Sequence, residues 1–339
     1  MATMDIFNAD AFGMIEMTRM VNRFGYVPTF MQSIPGLVEM EPIRTERVFI
    51  ESSAYTPAII SVSERGAPPK QEGGDVREVK AFKTFRWDRA SRITASELAG
   101  IRAWGSTTEF RSLQDEIARR TFKMKNAFSL TKEAWLINMI QGLVKDGSTV
   151  LYNWWTEFGQ SQEAEVAFDF GGASPDIFNK CQDIIRTTTV NLKGLGNANL
   201  EIWALCGDEF FKKLRNSTEV KETFQGWQDA ALLRNQFGRA WASIDFGNIR
   251  FVNYRGTDDG TTVVIPTDKA KFFPVNAGIF KWVMAPGETF DSINAPGLDM
   301  YSMVTRDVKR NSYVDIEYYS YPLPVCIQPA ALMAGRAGA

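Results

Sequence analysis

The groupings whose residue types could do chemistry are few. Asp115 and Glu116 are adjacent carboxylates, the raw material of acid and base catalysis, and Gly194-Leu195-Gly196 could cradle a phosphate. Asp258-Asp259-Gly260 could open a calcium loop, and Cys181, Cys206 and Cys326 could serve as nucleophiles or metal ligands. Each has a plainer reading that its surroundings favour. Asp115 and Glu116 fall in the first turn of a long helical pattern, where negative charge suits the macrodipole. No strand ends directly before Gly194 and no helix clearly opens after Gly196, so these glycines read as a helix stop and a turn. The acidic pair before Gly260 lacks the spaced ligands and closing glutamate of an EF-hand and reads as a hairpin turn. The cysteines are odd in number and far apart, which argues against a disulfide framework or zinc cluster and fits a reducing cytoplasm.

The chain contains no histidine. That removes Ser-His-Asp and Cys-His nucleophilic systems, histidine bases and nearly all of the usual zinc and non-haem iron sites. No catalytic, cofactor or metal residue is therefore expected, and a carboxylate-dependent enzyme is the alternative from that class. The formal net charge of -2, from 38 basic and 40 acidic side chains, lacks the cationic surplus needed to grip nucleic acid. It allows the chain to lie passively beside DNA. With 339 residues, 45% of them hydrophobic and 23% charged, the chain can form two or three compact units. Asp5, Asp10 and Glu16 interrupt the first apolar residues, and no run approaches the roughly 20 needed to span a bilayer, so neither a signal peptide nor a membrane partner is expected.

The element that organises these residues is an amphipathic helix expected from Ser112 to Asp146. Leu113, Ile117, Met124, Phe128, Trp135 and Met139 recur at steps of four and seven and form its core face, with Ser112 as N-cap and Gly147 as stop. Upstream, Met14, Met17, Val21 and Phe24 repeat at helical spacing, and Pro28, Pro35, Gly36 and Pro42 punctuate an extended run, so residues 1–44 read as an arm that must pack elsewhere. Val48, Phe49, Ile50, Ala58, Ile59, Ile60 and Val62 make one strand arm; Val79, Ala81, Phe85 and Trp87 make the returning one. The tip between them carries Arg65, Gly66, Pro68, Pro69, Lys70, Gly73 and Gly74, too long and too rich in Gly and Pro for a tight turn. A two-stranded ribbon of this kind is marginal in water alone. It needs a larger sheet or a neighbouring molecule.

Beyond Gly147, the residues from Val150 to Trp155 read as a strand returning as Val166, Phe168 and Phe170 through Gly159-Gln160-Ser161-Gln162. Ser174 to Lys193 reads as a second helix, capped by Ser174 with Pro175 in its first position and ended by Gly194. A buried strand over Glu201 to Leu205, a short helix over Asp208 to Leu214, and a hairpin made of Trp241 to Phe246 and Ile249 to Tyr254 followed by the turn Arg255 to Gly260 and Val263 to Ile265 complete an α+β pattern. The Gly- and Ala-rich tail from Ala334 is expected to be flexible. Aromatic residues make up 12% of the chain, with nine Trp, which favours extensive subunit contact beyond core packing.

The final segment carries a resemblance. Lys271-Phe272-Phe273-Pro274, Gly278-Ile279-Phe280, Ala285-Pro286, Ile293-Asn294-Ala295-Pro296-Gly297-Leu298, Tyr301, Lys309-Arg310-Asn311 and the run from Ser320 to Pro329 together resemble the major capsid proteins of tailed phages, in the group of the phage lambda major head protein. Thr45-Glu46-Arg47-Val48 and the later Arg65-Gly66 resemble the same group's early region. The order of these short motifs carries the likeness, strongest from Lys271 to Pro329.

The resemblance implies an α+β chain of the Hong Kong 97 fold. Residues 1–44 would be the N-arm, 45–93 the extended loop, 94–196 the peripheral domain with its spine helix over 112–146, 197–267 the axial domain, 268–330 the return to the peripheral domain and 331–339 a flexible tail. It implies hexamers and pentamers of the chain itself in an icosahedral virion shell around double-stranded DNA, assembled in the host cytoplasm without sequence-specific DNA binding. Because the extended loop begins within the first fifty residues, a separate scaffolding protein is expected, together with a portal protein and a decoration protein. Lys70, Lys80 and Lys83 are candidates, by position, for the loop lysine that some members cross-link, although this group relies on decoration instead. The alternative of the same fold is an encapsulin-like cargo shell.

Overall fold

The computed structural model describes residues 30–53, 77–97, 109–172, 176–196, 199–225, 243–254, 256, 265–310 and 312–338. The described chain opens with one helical turn, α1 (Phe30–Ser33), and a short strand, β1 (Glu39–Pro42). β2 (Arg47–Ser53) and β3 (Arg77–Lys83) pair as an antiparallel ribbon, and β4 (Trp87–Thr94) enters a different sheet. The single returning arm expected from Val79 to Trp87 is therefore two strands. The break falls where the Phe85 N–H leaves the ribbon to donate to the Pro322 carbonyl at 3.2 Å, which ties the ribbon root to the body.

The long helix is α2 (Glu109–Met139), 31 residues and so about 47 Å long. It begins before Ser112, which lies inside it, and it ends well before Asp146. Gly142 stops it, at a φ of +74° where a Cβ would stand 2.3 Å from the Trp155 indole nitrogen. The chain then turns into β5 (Leu143–Asp146) and β6 (Thr149–Asn153), a hairpin in which Gly147 is a turn residue rather than a helix stop.

After β6 come α3 (Trp154–Glu157), β7 (Val166–Ala167), α4 (Ile177–Asn191), β8 (Glu201–Cys206), α5 (Asp208–Asn216) and α6 (Thr218–Gln225). The remaining strands are β9 (Ser243–Phe246), β10 (Ile249–Asn253), β11 (Lys269–Val275), β12 (Phe280–Met284), β13 (Tyr301–Arg306), β14 (Tyr313–Ser320), β15 (Pro322–Cys326) and β16 (Met333–Arg336). The strand expected over Val150 to Trp155 gives way to α3 at Trp154, because the Asn153 side chain accepts from the Trp155 N–H and caps a helical turn. Val166 and Ala167 pair in parallel with β16 and not with β6.

Three cores follow from the topology. A six-stranded mixed sheet runs β7-β16-β11-β8-β10-β9 and is covered on both faces, which is why β8 and β11 read as nearly continuous apolar runs. On one face Phe168, Cys181, Ile184, Phe210 and Leu214 pack against Ile202, Ala204 and Phe272. On the other, Leu205, Val252, Phe273 and Val275 join Trp135, Met139, Ile140 and Trp282. A three-stranded sheet, β13-β14-β4, lays Ile93, Val314, Ile316 and Tyr318 on Ile117, Met124 and Phe128 of α2. One helix thus serves two cores. Trp87 sits at the seam, edge-on to Trp135 at 4.6 Å and 6.3 Å from Phe128.

Two terminal expectations change. The tail is not loose over its described part: Met333 to Arg336 form β16 inside the six-stranded sheet, and Ala334 is 1% exposed. Small residues are required there, since a Cβ on Gly335 would lie 3.0 Å from both Phe168 and Phe272. The second helix begins at Ile177, with Asp176 at a φ of +50° before it; Ser174 and Pro175 lie outside the described residues. Its first two N–H groups, of Ile177 and Phe178, donate to Glu219 of α6 at 2.8 and 2.9 Å. The cap comes from a distant element.

Candidate assembly surfaces

The ribbon of β2 and β3 has two unlike faces because side chains alternate along a strand. Inward, Val48 and Phe82 are buried, and Phe82 meets Trp154 edge-on at 5.1 Å and Tyr152 at 5.5 Å. The Tyr152 hydroxyl accepts from the Lys83 N–H at 3.1 Å, and the Lys80 ammonium donates to the Glu157 carbonyl. Outward, Phe49 is 62% and Val79 54% exposed, with Ala81 opposite Phe49. Phe49, Val79 and Ala81 make a small exposed apolar strip on this face, bordered by Arg47, Glu51 and Lys83.

The sequence-named residues divide as follows. Ile117, Met124, Phe128, Trp135 and Met139 are all buried along α2. Leu113 falls within α2, with its side chain outside the described residues. The tip residues Arg65, Gly66, Pro68, Pro69, Lys70, Gly73 and Gly74, and the arm residues Met14, Met17, Val21 and Phe24, lie outside the described residues. Of the lysines, Lys80 turns inward to Glu157, whereas Lys83 lies on the outer face with Ala81.

One residue without a signal of its own proves central. Glu133 is 3% exposed, and its Oε1 accepts from the Met31 N–H at 2.9 Å and the Tyr254 hydroxyl at 3.3 Å. Beside it the Gln32 amide donates to the Ser129 carbonyl at 2.9 Å. The carboxylate thereby joins α1, α2 and the end of β10, and burial together with its charge pushes the Tyr254 hydroxyl well up. The available sequence signal is the apolar stretch that follows it, Ala134 to Ile140, interrupted once by Asn138. Trp135, Leu136, Ile137, Met139 and Ile140 are all buried, so the last turns of α2 are enclosed all round and a carboxylate there must be partnered.

The chemical candidates resolve into structure. Cys181, Cys206 and Cys326 are free and buried, and desolvation raises each thiol, Cys181 to about 12, so all three stay neutral. Lys193 and Gly194, at φ of +48° and +87°, form the turn that ends α4. Asp115 and Glu116 lie within α2, with side chains outside the described residues, and Asp258, Asp259 and Gly260 lie outside the described residues altogether. A groove of about 470 Å3 between α1, α2 and β12 holds one carboxylate, Asp299, which is 2.8 Å from Lys132. Among the described residues no cluster of three His, Cys, Asp or Glu could hold a metal ion.

The α+β body thus carries a rooted ribbon whose outer face sets Phe49 and Val79 among the exposed Arg47, Glu51 and Lys83. The family model of the phage major capsid protein E matches residues 13–337, and the chain belongs to that family. It is 24% identical over 322 residues to the major capsid protein of Pseudomonas phage KPP10, covering 89% of this chain and 90% of that one. To the major capsid protein of Salmonella phage Felix O1 it is 21% identical over 374 aligned positions, covering 98% and 96%. Among solved structures, the mature capsid of bacteriophage PhiM1 matches with a TM-score of 0.52 at 13% identity, covering 92% of this chain and 88% of that one. The capsid of cyanophage P-SCSP1u matches with 0.52 at 9% identity, covering 92% and 93%. The fold is of the Hong Kong 97 capsid type, and the protein is a phage major capsid protein.

Proposed function

We propose that copies of this chain join as hexamers and pentamers into an icosahedral head shell that encloses double-stranded DNA, and that assembly is its whole activity, with no catalytic step. The family match along nearly the whole chain carries this, and the outward Phe49 and Val79 of the ribbon supply the reason a single copy is incomplete. α1 and β1, with Met31, Ile34 and Leu37 buried, and β4 in the β13-β14-β4 sheet pack on the body of their own subunit; the rest of the N-arm (1–44) and of the extended loop (45–93) reaches a neighbouring copy. The body is read as a peripheral domain on α2 and an axial domain over 197–267, whose β8 and β10 share a sheet with β11 of the return segment and β16 of the tail.

Assembly in the host cytoplasm on a separate scaffolding protein, around a portal and with a decoration protein outside, belongs to the same proposal. A net charge of -2 suits a container, because thousands of tight phosphate contacts would hold back the cargo that must leave. Negative-stain microscopy of the chain expressed with and without the neighbouring head genes tests it. Closed shells are the expected result, and soluble monomers under every combination would overturn it. An enzyme cargo in purified shells, in place of phage DNA, would move the assignment to a cargo compartment.

A further inference from the structure

Two rigid projections stand at opposite ends of β13, and their surface chemistry is complementary. At one end the Gly287 to Leu298 loop presents Phe290 fully exposed, at 101%, between the exposed Glu288 and Asp291. At the other, the β13–β14 tip presents Val308, 94% exposed, among the exposed Arg306, Lys309 and Arg310.

Both shapes are built. In the loop, the Ser292 and Ile293 N–H groups donate to the Thr289 carbonyl at 3.0 Å, and the Gly297 N–H donates to Ile43 at 3.0 Å. The Thr289 and Ser292 hydroxyls lie 2.7 Å apart, and a Cβ on Gly297 would stand 2.1 Å from the Met284 carbonyl, so the backbone is pinned against the body. In the tip, Asp307 accepts from the Lys309 and Arg310 N–H groups at 3.1 Å and from the Ser312 hydroxyl at 2.9 Å. Asp307 is held inside its turn as a carboxylate, and Arg306, Lys309 and Arg310 outnumber it, so the tip stays net positive. On the acidic side, Arg86 lies 3.4 Å from Glu288, but both side chains are about half exposed, so that pair offsets little of the field.

A lone exposed apolar side chain is ordinary. An aromatic flanked by carboxylates and an aliphatic flanked by cations, each on a fixed tip, are matched in both apolar and charge character. They cannot meet within one subunit, since the six residues of β13 separate them by roughly 20 Å. A contact between unlike patches of successive copies is head-to-tail and closes into a ring when the rotation allows.

We propose that the Gly287 to Leu298 loop of one copy seats Phe290 against the Val308 tip of the next, acidic flank on basic flank. This rests on the shell reading above and names one of its contacts. Like charge placed across such a contact costs far more than the matched pair contributes, so the flanks set which copy surfaces may join.

The test is a charge exchange in the full-length chain expressed with the neighbouring head genes, with particles counted by sedimentation and microscopy. Glu288→Lys with Asp291→Lys, and separately Arg306→Glu with Lys309→Glu and Arg310→Glu, should each lower particle yield at least about tenfold. The chain carrying both sets should recover yield to within about threefold of the parent. Circular dichroism and thermal melting of the soluble subunits verify that each variant folds, and Phe290→Ala supplies a variant that leaves the charges and the Arg86 pair intact. Parental yield from both single-side variants and Phe290→Ala overturns the contact while leaving the shell function standing. Folded single-side variants that fail, with no recovery on exchange, overturn it equally, because each tip then meets some other partner. Absence of particles from the parent itself counts against the shell reading instead.

Discussion

Glu133 and Gly335 are residues whose surroundings, rather than their type, fix what they do. Glu133→Ala leaves the Met31 N–H and the Tyr254 hydroxyl buried without this acceptor, and each lost bond costs about 1–3 kcal/mol. Denaturant melts of the subunit should register that loss, while Glu133→Gln, which keeps an acceptor oxygen, should recover much of it. Gly335→Val should destabilise by about 1–3 kcal/mol, because Phe168 and Phe272 already stand at contact distance from where a Cβ would go. Tyrosines give the pH dependence. Burial raises Tyr254, Tyr301, Tyr318, Tyr319 and Tyr321 above the ordinary value of 10.0, Tyr319 to about 12. The unfolded chain then releases protons that the folded chain retains, so their contribution is whole below pH 10 and falls away as pH rises through the raised values. Alkaline titration followed by tyrosinate absorbance should show these five tyrosines ionising together with unfolding, above pH 10; loss of the low-pH part of the signal on replacing any of the five by Phe would contradict this.

Among the elements, the ribbon separates stability from assembly by face. Phe82→Ala removes a ring packed on Trp154, Tyr152 and Phe158 and should cost the subunit about 3–5 kcal/mol. Phe49→Ser, on the other face, should leave the melting of the isolated subunit nearly unchanged and lower particle yield, and equal effects of both on melting would refute the division of faces. The apolar stripe of α2, the pairing of Trp241–Phe246 with Ile249–Tyr254 and the doubly buried β8 were legible in the sequence because each is a local periodicity. The faces of the ribbon were not, since the alternating apolar set Val79 and Ala81 is the outer one and Phe82, beside Lys80 and Lys83, is the residue that the body buries. Nor was the end of α2. Leu143 and Val144 continue an apolar run as well in a strand as in a helix, and only Trp155, packed where a Gly142 Cβ would go, decides between them. The same holds for the tail, whose Gly and Ala suggest looseness until Phe168 and Phe272 supply the walls, and for Glu219, whose capping of α4 links residues 41 and 42 apart in sequence. Long-range partners settle those points, and periodicity carries no trace of them.

For the whole molecule, the division of labour between body and projections leads to a deletion. The described cores draw on strands from Glu39 to Arg336 and on both halves of α2, so the body is held by elements on either side of the segment between β2 and β3. Removing Ala67 to Gly73 shortens a segment whose flanks, Ser53 and Arg77, are paired, and the cost of closing a chain changes only slowly with its length, so the subunit should fold with stability within about 1 kcal/mol of the parent. A shell is more demanding. Each copy is held by several contacts that are individually modest, and the effective concentration created by one contact strengthens the rest, so loss of one reach is multiplied around the closed surface. The deletion should therefore give soluble, normally melting subunits and no stable heads, judged by microscopy beside the parental chain. Normal particles from the shortened chain would remove the loop tip from the assembly and leave Phe49, Val79 and the β13 tips as the surfaces that join copies.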